Sequence, residues 1–132
     1  RDIHGGLPMS TPPLANAELA LMELLWVHGS LTARQIQDEL YGESDRSQHG
    51  TVQRLLQRLE EKEMVKREKT GAANAFSACI SREEYAGGQL ETLAERLTGG
   101  SIAPLLSHLI DQKRLSRTEL RRLRELLDGR KP

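Results

Sequence analysis

The sequence predicts a mainly α chain with one small β-hairpin and a helical C-terminal region, and three observations predict it. Apolar residues recur at helical spacing in each long segment except 64–80, where the spacing changes to that of short strands. Three Ser/Thr-x-x-Glu/Gln sequences, Thr32–Gln35, Ser81–Glu84 and Ser116–Glu119, stand where a helix should begin. Twenty-two leucines against four aromatics (Trp26, Tyr41, Phe76 and Tyr85) call for an aliphatic, helix-built core.

Residues 1–13 contain Gly5-Gly6, Pro8 and Pro12-Pro13 and read as a disordered lead, in part an expression remnant, with Met9 as the natural start. From Asn16 to His28 the inner face is marked by Leu19, Met22, Leu25 and Trp26, with Asn16 as N-cap and Gly29 as stop. The Thr32 capping box opens a second helix to about Leu40, Ile36 and Leu40 facing inward, and Gly42–Ser47 is a polar turn. The third helix runs from His49 to Lys62 on the stripe Val52, Leu55, Leu56 and Leu59. Met64–Lys69 and Ala75–Ile80 then read as strands joined by a turn over Thr70–Asn74. Three helices followed by a hairpin form the winged helix-turn-helix layout, which assigns 14–80 to one domain.

Residues 81–132 read as a helical dimerisation region. The Ser81 box starts a helix to about Leu97, weakened at Gly87-Gly88; Ser101 starts a short one, and the Ser116 box a last one through Leu127. Helices this short are marginal alone. Leu93, Leu97, Leu105, Leu106, Leu109, Leu123 and Leu126 are therefore expected to become buried when two chains associate.

The formal net charge is zero, but it is unevenly spread: −5 over residues 1–45, +3 over 46–69, −2 over 70–97 and +4 over 98–132. Binding follows local potential, so a basic stripe on a neutral chain suffices for nucleic acid. No apolar run approaches the roughly 18 residues that span a bilayer. Cys79 is the single cysteine and has no partner for a disulfide, which with the lack of a secretory signal suits a cytoplasmic protein. There is no phosphate-binding Gly loop, nucleophile elbow or carboxylate cluster, so no enzyme is expected. His28, His49, His108 and Cys79 lack metal-ligand spacing, so neither a metal nor another cofactor is expected.

At about 100° per residue, the side of the third helix opposite its apolar stripe carries Gly50, Gln53, Arg54, Gln57 and Glu61, with Thr51 and Arg58 at its edge. Arg forks onto guanine and Gln pairs with adenine in the major groove. His49 and Gly50, at the positive end of the helix, suit a phosphate. An ordinary solvated face has the same pattern; the hairpin shifts the balance toward nucleic acid, because Lys66, Arg67, Lys69 and Asn74 add basic and polar groups beside it. The same basic surface favours DNA over one alternative, a winged-helix protein–protein module; a second, a regulator with a small-molecule effector, would need a pocket for which the sequence shows no dedicated polar cluster.

The run HGTVQRLLQRLEEKEMVKREKTGAANAFSACISREEY resembles the recognition helix and wing of the penicillinase-repressor (BlaI/MecI-type) family. AELALMELLWVHGSLTARQIQDEL upstream is similar to the first two helices of that family, and GGSIAPLLSHLIDQKRLSRTELRRLRELL downstream to its dimerisation region. The resemblance spans Leu14 to Leu127 and implies a homodimeric repressor on an inverted-repeat operator of double-stranded DNA, with Gly50, Thr51, Gln53, Arg54 and Arg58 toward DNA. It implies a membrane sensor-protease as a further partner. Cleavage would fall between His108 and Leu109, where this chain departs from the Asn-Phe of antibiotic-responsive members. Copper-responsive relatives end in paired C-x-C motifs, whereas Asp128–Pro132 carries no thiol, which argues against metal sensing of that type.

Overall fold

The computed structural model describes residues 13–43 and 45–129, so nearly all of the expected lead lies outside the described residues. The elements run α1 (Asn16–His28), β1 (Ser30–Thr32), α2 (Ala33–Tyr41), a 3-10 turn (Arg46–Gln48), α3 (His49–Glu61), β2 (Val65–Thr70), β3 (Ala73–Ala78), α4 (Arg82–Thr98), α5 (Ala103–Asp111) and α6 (Arg117–Asp128). They form two compact units that divide between Gln89 and Leu90, inside α4 rather than at its start.

Local chemistry sets the helix starts. In all three capping boxes the hydroxyl accepts from the third helical N–H while the Gln or Glu side chain accepts from the cap N–H, at 2.8–3.2 Å. The start of α1 differs from the sequence expectation: Ala15, not Asn16, is the N-cap. Alanine has no oxygen to offer the helix, so only half of a capping box forms, with the Glu18 carboxylate accepting from the Ala15 N–H at 2.9 Å. Gly29 stops α1 with φ 89°, a conformation that suits glycine. α3 ends in a Schellman motif without glycine: Glu63 takes φ 61° and the Met64 N–H reaches the Leu59 carbonyl at 2.8 Å.

In the first unit the sheet order is β1-β3-β2, all antiparallel. β1 went unread in the sequence because three residues are too few to display a period of two. Thr70 pairs with Ala73, so the hairpin turns on Gly71-Ala72, tighter than the expected five-residue turn, and β3 ends earlier, at Ala78. Phe76 on the central strand is flanked by Leu31 and Arg67 and meets a core of Leu21, Met22, Leu25, Ile36, Val52, Leu55, Leu56 and Leu59. The Trp26 indole N–H donates to the Ile80 carbonyl at 2.8 Å, and the Tyr85 hydroxyl accepts from the Leu14 N–H at 2.8 Å, which fastens the first turn of α4 to this unit.

The second unit is built otherwise. Among its described residues only Ala94 is buried. Leu90, Leu93, Leu97, Leu106, Leu109, Ile110, Leu123, Leu126 and Leu127 are 36–71% exposed, while Leu105 is half-buried.

Candidate nucleic-acid interface

α3 buries Val52, Leu55, Leu56 and Leu59 and leaves His49, Gly50, Gln53, Arg54, Gln57 and Arg58 exposed, with Thr51 half-buried. The Arg54 guanidinium folds back toward the first turn, where a Cβ on Gly50 would lie 3.7 Å from its Nη1. Glycine at position 50 therefore keeps the backbone bare beside a reaching arginine. Arg54, Arg58, Lys66 and Lys69 have no ion-pair partner among the described residues.

Three contacts hold α3 in place, and none was read from the sequence. At its N-terminal end the Gln37 side chain, 4% exposed, donates from Nε2 to the Asp45 carbonyl at 2.9 Å, and Asp45 caps the 3-10 turn through the Ser47 N–H at 3.2 Å. At its C-terminal end Lys62 donates to both oxygens of Glu18 at 2.9 and 3.0 Å. Glu18 is 2% exposed, a carboxylate buried on the inner side of α1. Burial pushes its carboxyl up, but the Lys62 ammonium, the Ala15 N–H and the charge of Arg58 outweigh burial and hold it below the usual carboxylate range.

The third contact changes the reading of the wing. Along β2, Val65, Arg67 and Lys69 share one face and Lys66 and Glu68 the other. Arg67 follows Val65 onto the core side, where its guanidinium lies 5.2 Å from the Phe76 ring centroid and forks onto Glu60 of α3 at 2.7 and 2.9 Å. The Arg67 bond and charge lower the Glu60 carboxyl, and Glu60 raises Arg67 in turn. The charge of Arg67 is thus paired within the chain, and the Arg67–Glu60 pair ties the wing to α3. Lys66 and Lys69 remain exposed, on opposite faces of the ribbon.

His108 and Leu109 lie in the last turns of α5, both exposed. Among the described residues, no group of His, Cys, Asp and Glu could hold a metal ion, and no helix is long and apolar enough to cross a membrane.

The sequence profile of the penicillinase repressor family matches residues 14–129. A 16.5 kDa protein of Latilactobacillus sakei, described as uncharacterised and placed in the ptsI 3′ region, is 30% identical over 121 residues, 92% of this chain and 82% of that one. The penicillinase repressor of Bacillus licheniformis is 25% identical over 120 residues, 91% of this chain and 93% of that one. The solution structure of the DNA-binding domain of the repressor BlaI is 29% identical, with a TM-score of 0.48 over 57% of this chain and 90% of that one.

Proposed function

The chain belongs to the penicillinase repressor family, and from that premise we propose that it represses transcription as a homodimer whose two α3 helices read the halves of an inverted-repeat operator. The observation that carries this reading is the face of α3. Gln53, Arg54, Gln57 and Arg58 are exposed together, the two arginines have no ion-pair partner among the described residues, and the helix beneath them is fixed at both ends. A reading helix must hold its side chains to well under a helical turn of error, and phosphate contacts then set its register. That Ala94 alone is buried among the described residues of the second unit supports dimerisation, because helices of 9 and 12 residues are marginal without apolar partners.

The direct test is selection of duplexes from a random pool with the full chain. The expected product is an inverted repeat with half-site centres separated by about 10 bp or a multiple of it. Recovery of no preferred sequence would remove the reading. On the selected operator, Arg54→Ala or Arg58→Ala should each weaken binding by about 1–3 kcal/mol and relax preference at one base position per half-site. Unchanged anisotropy titrations would take the residue off the reading face.

Lys69 lies next to the hairpin turn and Lys66 on the other face of the ribbon. Lys69→Ala should weaken binding to every duplex alike and lower the slope of log K against log salt by about one, with a smaller effect for Lys66→Ala. A sequence-dependent loss for Lys69→Ala would instead put that side chain on a base.

A further inference from the structure

β2 leaves the core early: Val65 is buried, and Lys66 through Thr70 are all exposed. It is also an edge strand, paired with β3 alone, and β1 covers β3 only over Ala75–Ser77. Lys69, Thr70, Ala73 and Asn74 therefore form a two-stranded end with no third strand beside it. Such a ribbon is marginal by itself, and its direction is set by whatever holds its base.

Arg67 is the side chain that holds it. Among the described residues, no side chain from Glu68 to Asn74 makes a hydrogen bond or ion pair within the chain, so Arg67 is the outermost tie. Its guanidinium is anchored twice. It lies 5.2 Å from the ring centroid of Phe76, its own cross-strand neighbour and 3% exposed, and it forks onto both Glu60 oxygens at 2.7 and 2.9 Å. A planar cation can stack and fork at once, which an ammonium cannot. Exposed ion pairs as a class contribute little, but a two-point fork seated on a buried ring fixes an orientation.

Glu60 lies in the last turn of α3, the helix that presents Arg54 and Arg58. Lys69 lies two residues beyond Arg67 on the same face of β2, with Asn74 directly opposite. A carboxylate beside a DNA-binding surface repels phosphate, and a cation that it neutralises adds nothing to the attraction. Glu60 thus opposes binding through its charge and can favour it only through geometry.

We propose that Glu60 and Arg67 are positioning residues for DNA binding, their fork holding the ribbon at the angle to α3 at which Lys69 meets the DNA backbone. The proposal rests on α3 being the reading helix. It assigns Arg67 to the geometry of the chain and not to direct contact with DNA.

The test is anisotropy titration of the full chain and its Glu60→Ala and Arg67→Gln variants, each with and without Lys69→Ala, on the selected operator and on an unrelated duplex over a range of salt. The two substitutions change net charge in opposite directions. Both should nevertheless weaken binding to either duplex by roughly three- to tenfold and lower the salt slope by about one. Lys69→Ala should weaken the parent by a similar factor and neither variant any further, the non-additivity of residues that act as one. Loss of stability alone would not produce that coupling. Tighter binding and a steeper salt slope in Glu60→Ala would mean that Arg67, once released, reaches a phosphate, and the proposal would fall. It would fall equally if Lys69→Ala were without effect in the parent or fully additive in the variants, with the reading of α3 left standing in both cases. A parent that selects no operator would remove that reading and the positioning role with it.

Discussion

Replacing Leu109 by Asp should turn a sedimenting dimer into a monomer and weaken operator binding by at least tenfold, the largest loss expected of any single exposed residue. Leu109 is 38% exposed on α5, beside Leu106 at 37% and Ile110 at 45%, in a unit whose one buried described residue is Ala94. Covering one such leucine contributes on the order of 1 kcal/mol, and a set of nine exposed apolar side chains supplies enough to hold two chains together. An aspartate at the same place would lose its water without gaining a counter-ion, which costs several kcal/mol. The first unit would survive, because the described residues up to Gln89 form their own compact unit. What is lost is the second half-site: in a dimer it binds at high effective concentration, an advantage of about 10²–10⁴ that a monomer forgoes. Equilibrium sedimentation beside operator titration separates the possibilities. A Leu109→Asp chain that stays dimeric places the interface elsewhere, and a monomer with parental operator affinity removes avidity from the account.

The parts of this fold that were legible in the sequence are those written in short-range chemistry. A capping box spans four residues, and Thr32, Ser81 and Ser116 each close theirs in the structure. The helical stripe of α3 is likewise a local pattern, so its exposed side could be named residue by residue. Glu18 shows a signal that was present and passed over. It stands at i with Leu21, Met22 and Leu25 at i+3, i+4 and i+7, a position on the buried stripe, and an acid there must find a cation. Arg67 gave a weaker sign of the same kind, two residues beyond Val65 and hence on the core side of its strand. The partner of Arg67 was not legible, because Glu60 comes beside it only after α3 and β2 have packed. Nor did a list of leucines anticipate that Leu90, Ile110 and Leu127 belong to the exposed set, since short helices with apolar residues on several sides do not announce which side stays uncovered.

Substituting Lys62 by Met should destabilise the first unit by about 3 kcal/mol, and the deficit should shrink as the solution is made acidic. The Lys62 side chain is 34% exposed while that of Glu18 is 3% exposed, so the lysine can be removed without a cavity but the carboxylate cannot reach water. Breaking a buried pair by deleting one partner costs about 3–5 kcal/mol, and the partial exposure of Lys62 puts this case at the low end. For a unit of this size that corresponds to a fall in Tm of roughly 12–24 °C. The pH dependence follows from the two states of Glu18. In the parent the folded carboxyl lies below its unfolded value of about 4.3, so the pair contributes fully above that pH and its contribution is lost as pH falls through the folded value. Without Lys62 burial is opposed only by the Ala15 N–H and the charge of Arg58, so the folded value rises from that of the parent. The deficit relative to the parent is then largest at neutral pH and shrinks as the carboxyl takes up a proton. Adding Glu18→Gln to Lys62→Met should restore much of the neutral-pH loss, because the uncompensated charge is gone and the amide keeps the acceptor for the Ala15 N–H. Denaturant titrations of the parent, the single variant and the double variant at pH 7 and pH 4 decide it. A Lys62→Met deficit that is equally large at both pH values would show that the lysine acts through packing of its stem and not through the buried carboxylate.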